Sequence, residues 1–255
     1  MKLFSRRYGE EGHDLIIMHG LFGMSDNWNT IGKQFAKFCK VHLLDLRNHG
    51  RSPHSKYFDY EVMCQDLLKY IIDNNLNKPI ILGHSLGGKV AMKFAFTHSS
   101  VLEKLIVVDI APRQYNVDFH QNLLQKLYRL DLNDFVKRSD IEEALSLFVK
   151  DIGIRLFLLK NLYRNEDKKF AWRFNLEVLL EKVINIQDDS FVNGICNVDT
   201  YFIRGKNSDY INDSDKLFIN RHFSNSHIIT IDDAGHWIHA DQPKSFYNEV
   251  VRLLK

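Results

Sequence analysis

Short apolar runs rich in β-branched side chains recur along the chain, each closed by turn-forming or polar residues. They are Asp14 to Met18, Val41 to Leu46, Pro79 to Leu82, Lys104 to Val108, Asp199 to Ile203 and His227 to Ile231. Apolarity that is nearly continuous, instead of alternating, marks strands covered on both faces, which is the condition of a parallel sheet whose crossover helices lie against it. Helix-compatible stretches fall between several of the runs, so the pattern predicts an α/β fold with a mostly parallel central sheet and helices on both faces. Lys2 to Tyr8 alternates more weakly and is expected as an edge strand. Lys89 to Phe96 and the amphipathic stretch Lys244 to Leu254 are expected as helices.

The rhythm breaks between Arg113 and Asp189. This interval carries amphipathic helical patterns, such as Ile141 to Lys150, and no convincing strand. Its apolar positions, among them Phe148, Phe157, Leu158, Leu159, Trp172, Phe174, Leu179 and Leu180, exceed what a solvated linker needs. It is expected to be a helical insertion, residues 113–189, in a core made of residues 1–112 and 190–255. Because it follows the run ending at Val108, it would emerge at the carboxyl edge of the sheet, where open α/β folds bind ligands. A lid over a pocket is the expectation, with Phe157, Trp172 and Phe174 either lining an apolar pocket or packing within the lid.

Candidate chemistry sits at the ends of these runs. Gly83-His84-Ser85-Leu86-Gly87-Gly88 lies between an expected strand and an expected helix. A serine on so sharp a turn has strained backbone geometry, and the small residues two positions away on either side prevent a clash. A phosphate loop would need a Lys-Ser/Thr pair that is absent, and the dinucleotide spacing is also wrong. A serine hydroxyl is a weak nucleophile until a neighbouring base takes its proton. His236, in Ala234-Gly235-His236-Trp237 after the last run, is the candidate base. His98, His120 and His222 read as surface residues, and His239 as a pocket-lining neighbour. Met18-His19-Gly20-Leu21-Phe22-Gly23 follows the first buried run, where an oxyanion needs a backbone donor. The amides of Leu21 and Leu86 are the expected pair, with Phe22 as the alternative to Leu21. Asn48, His49 and Arg51 are expected to border the pocket, with Asp45 and Arg47 paired structurally.

Composition narrows the partners. Of 255 residues, 45% are hydrophobic and 26% charged, enough apolar content for a sizeable core without staples. The net charge of +2 arises from interspersed Lys and Arg, so no footprint for nucleic acid or an anionic membrane stands out. Cys39, Cys64 and Cys196 are odd in number and far apart, which fits neither a disulfide framework nor a zinc site. The opening MKLFSRRYGEEG lacks the apolar run of a signal peptide, and no stretch reaches the length of a membrane span. A cytoplasmic location is expected. Oligomeric state leaves no mark in the sequence.

The chain resembles the α/β-hydrolase superfamily through His19-Gly20, Asp45-Leu46-Arg47-Asn48-His49-Gly50-Arg51-Ser52, Gly83-His84-Ser85-Leu86-Gly87-Gly88 and Gly235-His236. More narrowly, it is similar to the small YbfF-type bacterial esterases and their mitochondrial relatives. Val108-Asp109-Ile110-Ala111-Pro112, Phe157-Leu158-Leu159-Lys160, Trp172-Arg173-Phe174-Asn175 and Gly235-His236-Trp237-Ile238-His239-Ala240 carry that closer likeness. The resemblance implies hydrolysis of small esters or thioesters with no cofactor and no metal. Perhydrolase and C–C hydrolase chemistry share the same serine machinery, and a non-catalytic ligand receptor on this fold is the alternative outside enzymology. In the commonest superfamily pattern the acid stands three residues after the glycine that follows the penultimate strand, but Gly205-Lys206-Asn207-Ser208 places serine there, with Asp209 one position late. Asp109, directly after the strand that follows the nucleophile helix, fits the alternative placement, and the YbfF-type resemblance favours it. Ser208 is then expected to hydrogen-bond the His236–Asp109 pair, and Asp232 and Asp233 are expected in an exposed turn.

Overall fold

The structure is a computed structural model that describes residues 1–190 and 192–255. Its elements run in chain order as β1 (Ser5–Tyr8), β2 (Asp14–Met18), α1 (Asn29–Phe35), β3 (Lys40–Leu44), α2 (Tyr60–Asp73), β4 (Ile80–His84), α3 (Leu86–Thr97) and β5 (Lys104–Val108). There follow α4 (Asp118–Arg129), α5 (Arg138–Ser146), α6 (Ile152–Leu159), β6 (Leu162–Arg164), β7 (Phe170–Trp172) and α7 (Leu176–Lys182). The chain closes with β8 (Asp199–Gly205), α8 (Asp213–His222), β9 (Ser226–Ile231), α9 (Ile238–Asp241) and α10 (Pro243–Leu253).

Seven strands form one sheet in the order β1-β3-β2-β4-β5-β8-β9. Only β1 runs antiparallel, pairing with β3 as the edge. Every other neighbouring pair is parallel. The continuous apolar runs have the physical cause inferred from the sequence, because each central strand feeds two cores. Ile16, Ile81, Leu105 and Phe202 point to the side covered by α2 and α3, whereas Ile17, Leu82, Ile106 and Ile203 pack beneath α1 and α10. Local signals set the helix starts. The Asp59 carboxylate accepts from Val62 N–H at the head of α2, and Asn212 and Asp215 form a reciprocal capping box on α8. All three cysteines are buried and free. No helix among the described residues is long and apolar enough to cross a membrane.

Among the described residues between β5 and β8 the chain forms four α-helices and two short 3-10 helices, but it also contains the antiparallel hairpin β6–β7, which the sequence did not reveal. Two three-residue strands are too short to show a period, so tertiary pairing made that choice. Side-chain amides tie this segment to the core: Nδ2 of the buried Asn161 donates to the Phe22 carbonyl at 2.8 Å, and Nδ2 of the half-buried Asn175 donates to Asn48 Oδ1 at 3.2 Å.

The turn after β3 departs from expectation. The strand ends at Leu44, because the Asp45 carboxylate turns inward to accept from the amides of Ser25 (2.5 Å) and Arg51 (2.7 Å). Arg47 does not pair with it. Its Nε lies 2.6 Å from Asp66 Oδ2 on α2, and the guanidinium also donates to the carbonyls of Tyr57 and Val62. Asn48 and His49 are buried beneath this turn, and Arg51 is drawn to Asp26, so none of the three borders the cavity that Ser85 and His236 line. Breaking a buried, hydrogen-bonded ion pair from one side strands the other charge. Asp66→Ala is therefore expected to destabilise the fold by about 3–5 kcal/mol, read as a fall in the urea unfolding midpoint; an unchanged midpoint would show that Arg47 finds water instead.

Candidate active site

The carboxyl ends of β2, β4, β5, β8 and β9 converge on one edge, and each delivers a residue singled out from the sequence. Ser85 stands between β4 and α3 with φ 51° and ψ −115°, a conformation that a residue with a side chain adopts at a cost of about 1–3 kcal/mol. The turn is held from both sides. Ser85 N–H donates to the Val108 carbonyl at 3.0 Å, and Gly87 N–H donates to the His19 carbonyl at 3.1 Å. The flanking glycines are required by space. A Cβ on Gly83 would lie 2.2 Å from the Gly87 carbonyl oxygen, and one on Gly87 would lie 2.6 Å from that of Met18.

Asp109 follows β5 at φ 49° and is completely buried. Its Oδ2 accepts from His236 Nδ1 at 2.8 Å and from the Ser208 hydroxyl, and its Oδ1 accepts from Gly205 N–H at 3.1 Å. This arrangement fixes the histidine's tautomer. With Nδ1–H committed to the carboxylate, Nε2 is left as the basic nitrogen. The Tyr210 ring stacks on the imidazole at 3.8 Å between centroids and 18° between planes. Asp209 is exposed and makes no side-chain hydrogen bond to His236 among the described residues. Ser85 and His236 line the same cavity, but no hydrogen bond joins Ser85 Oγ to the imidazole here; such contacts commonly tighten only with substrate in place.

The loop after β2 makes a tight turn, with Gly23 N–H donating to the Gly20 carbonyl at 2.9 Å and Phe22 at φ 60°. His19 braces it from beneath: Leu46 N–H donates to its Nε2 at 3.0 Å, so its Nδ1 carries the proton given to the Gly20 carbonyl at 2.8 Å. No turn or loop hydrogen bond among the described residues engages the amides of Leu21, Phe22 or Leu86. Leu86 opens α3, where the positive end of the helix dipole adds to the donor.

Leu21, Phe22, Ser85 and His236 face a cavity of about 260 Å³. Phe119, Leu123, Ile154, Phe157 and Leu158 form much of its apolar wall, all from the segment between β5 and β8. Trp172 and Phe174 do not line it. They stack on one another at 5.2 Å, and Phe174 packs on Phe22, so they support the wall from behind. His239 lines the cavity as expected and stacks on Trp28 at 4.0 Å. His120 is a correction, since it too lines the cavity and is mostly buried. Its helix pattern gave no sign of this, because the face that α4 buries is set by the insertion's docking. His84, Tyr210 and Asn161 were also missed as contributors. His84 Nε2–H donates to the His236 carbonyl at 2.9 Å and so positions His236 through its backbone. Asp232 and Asp233 are exposed, as expected.

Burial keeps the surrounding imidazoles neutral. It lowers His19 and His120 to about 4 and His239 to about 3, and it lowers His49, under the β3 turn, to about 3 with the charge of His19 adding to the effect. His84 falls well below the ordinary value, first through burial and then through its histidine neighbours.

Comparison with known proteins supports the fold. Residues 15–243 match a family model described as alpha/beta hydrolase fold. The sn-1-specific diacylglycerol lipase ABHD11 of Danio rerio is 35% identical over 253 residues, covering 94% of this chain and 78% of that protein. Esterase YbfF of Escherichia coli is 29% identical over 240 residues, covering 94% and 92%. Among solved structures, one titled "Marine microorganism esterase" superposes with a TM-score of 0.95 at 40% identity, covering 98% of each chain.

The buried histidines have a consequence for acid stability. An unfolded imidazole titrates near 6.5, whereas these rings hold their protons only below about 4 in the fold. Between those values the unfolded chain binds more protons, so this stability is fully present above pH 6.5 and is lost as pH falls. His49→Gln is expected to flatten the decline by about 1.4 kcal/mol per pH unit across that window. Urea midpoints measured from pH 7 to pH 4 would check this, and parallel curves for the two proteins would contradict it.

Proposed function

The chain belongs to the α/β-hydrolase family, and from that premise we propose that it is a serine hydrolase cleaving carboxylic esters or acyl thioesters of small to medium substrates through Ser85, His236 and Asp109. The observation that carries this reading is the 2.8 Å hydrogen bond from Nδ1 of His236, which lines the same cavity as Ser85, to a fully buried Asp109. A binding module has no need of an imidazole oriented in this way. The names of relatives, which include an esterase and a diacylglycerol lipase, support the bond class.

In the proposed cycle His236 Nε2 takes the Ser85 proton as Oγ attacks the acyl carbonyl carbon. The Leu21 and Leu86 amides donate to the oxyanion, and Asp109 offsets the charge of the imidazolium. The tetrahedral intermediate collapses as His236 returns the proton to the departing alcohol or thiol, leaving an acyl-enzyme. Water, deprotonated by the same nitrogen, then releases the acid and restores Ser85. Ser208 holds the carboxylate's second lone-pair direction, which keeps Asp109 from rotating away. Residues 113–189 act as a lid, supplying the apolar wall that excludes bulk water and strengthens these electrostatic contacts. The cycle draws only on this chain's residues, the substrate and water.

Ser85→Ala is expected to abolish turnover of p-nitrophenyl butyrate with an unchanged thermal unfolding profile. Retained hydrolysis would sink the mechanism. Asp109→Asn is expected to cost about 10⁴ in kcat, because an amide favours the wrong tautomer, whereas Asp209→Asn should stay near wild type. The reverse ranking would reassign the acid.

A further inference from the structure

Ser85 borders two cavities. Besides the 260 Å³ cavity there is a smaller one of about 60 Å³, and the two share Leu21, Ser85, His120 and Tyr210 as walls. They differ in what else they contain. His236 lines only the larger, whereas Leu86 lines only the smaller. The smaller cavity is closed by Ile110, Val117, Ile186 and Tyr115 and by Lys89, one helical turn beyond the nucleophile. The Lys89 ammonium donates to the Arg113 carbonyl and lies 5.2 Å from the Tyr115 ring centroid. Most of that lining is nevertheless apolar, so size and not polarity limits what the smaller cavity takes.

The reaction's stereochemistry assigns each half of an ester to one cavity. The leaving oxygen must face the imidazole that protonates it, so the alcohol side extends toward His236 and the larger cavity. The carbonyl oxygen faces the Leu21 and Leu86 amides, and the acyl chain continues on the side of Ser85 away from His236, into the space beside Leu86. We propose that the smaller cavity takes the acyl group and the larger takes the alcohol, so that the preferred substrates are esters of short acids, roughly two to four carbons, with bulky apolar alcohols. This inference rests on the serine-hydrolase reading above. The volume of the smaller cavity admits only a few water-sized groups, whereas the larger one is walled by Phe119, Leu123, Ile154 and Phe157.

Hexyl acetate and ethyl hexanoate are isomers of matched hydrophobicity that exchange the long and short arms across the ester, which makes them a direct test. Followed by acid release in a pH-stat, kcat/KM is expected to be at least about tenfold higher for hexyl acetate, since even single methylenes in an apolar site are worth about tenfold or more. Ile186→Ala, which enlarges the smaller cavity, should narrow that ratio by improving ethyl hexanoate. Equal rates, a preference for ethyl hexanoate, or a ratio unmoved by Ile186→Ala would overturn the partition while leaving serine hydrolysis standing. Failure to cleave either ester would overturn the serine-hydrolase reading, and this inference with it.

Discussion

A carboxylate with no access to water must have its lone pairs satisfied by the protein, and Asp109 is such a group. It lies at the end of β5 and receives His236 from the loop after β9, together with Ser208 and Gly205 from the end of β8. Three strand ends are thereby held in one register around a single charge. If Asp109 moved outward, the imidazole would lose its orientation and the β8 loop its anchor. The parallel sheet makes this convergence possible, since every strand except β1 delivers its carboxyl end to the same edge.

Backbone strain also falls here, as it does at Asn48, Asn75, Lys78, Lys168 and Asp233 elsewhere among the described residues. Ser85, Asp109 and Phe22 all have positive φ, and all three follow central strands at the site edge. None is a glycine, so each conformation persists because its surroundings over-determine it. Ser85 is pinned to β5 through the Val108 carbonyl, Asp109 to β8 through the Ile203 carbonyl, and Phe22 to the inserted segment through Asn161. The segment between β5 and β8 thus does two things at once. It walls the cavity, and it fixes the loop that presents Leu21, one of the two proposed oxyanion donors.

The sequence revealed what local chemistry dictates. Continuous β-branched runs exposed the buried strands, and Gly83-His84-Ser85-Leu86-Gly87 exposed the elbow because backbone crowding leaves no other residue at the glycine positions. His236 was legible from its place after the last run, and the pairing of Asp109 with Ser208 from the absence of an acid at the usual position. Hidden were interactions whose partners lie far apart in the chain. Arg47 chose Asp66 over the nearer Asp45 because Asp45 was already satisfied by backbone amides. His120 lines the cavity because of how α4 docks, and Tyr210 stacks on His236 because of how the β8 loop folds back. No period or spacing encodes such contacts.

The proposed mechanism requires Ser85 to be an activated nucleophile in a site assembled around Asp109 and His236. A fluorophosphonate tests this most directly, since it reacts covalently with a serine whose proton a base can remove and whose oxyanion is held. Labelling of the intact chain followed by peptide mapping should place one adduct on Ser85, and none should form after His236→Ala. A folded protein that took no label, or took it on another serine, would contradict the account.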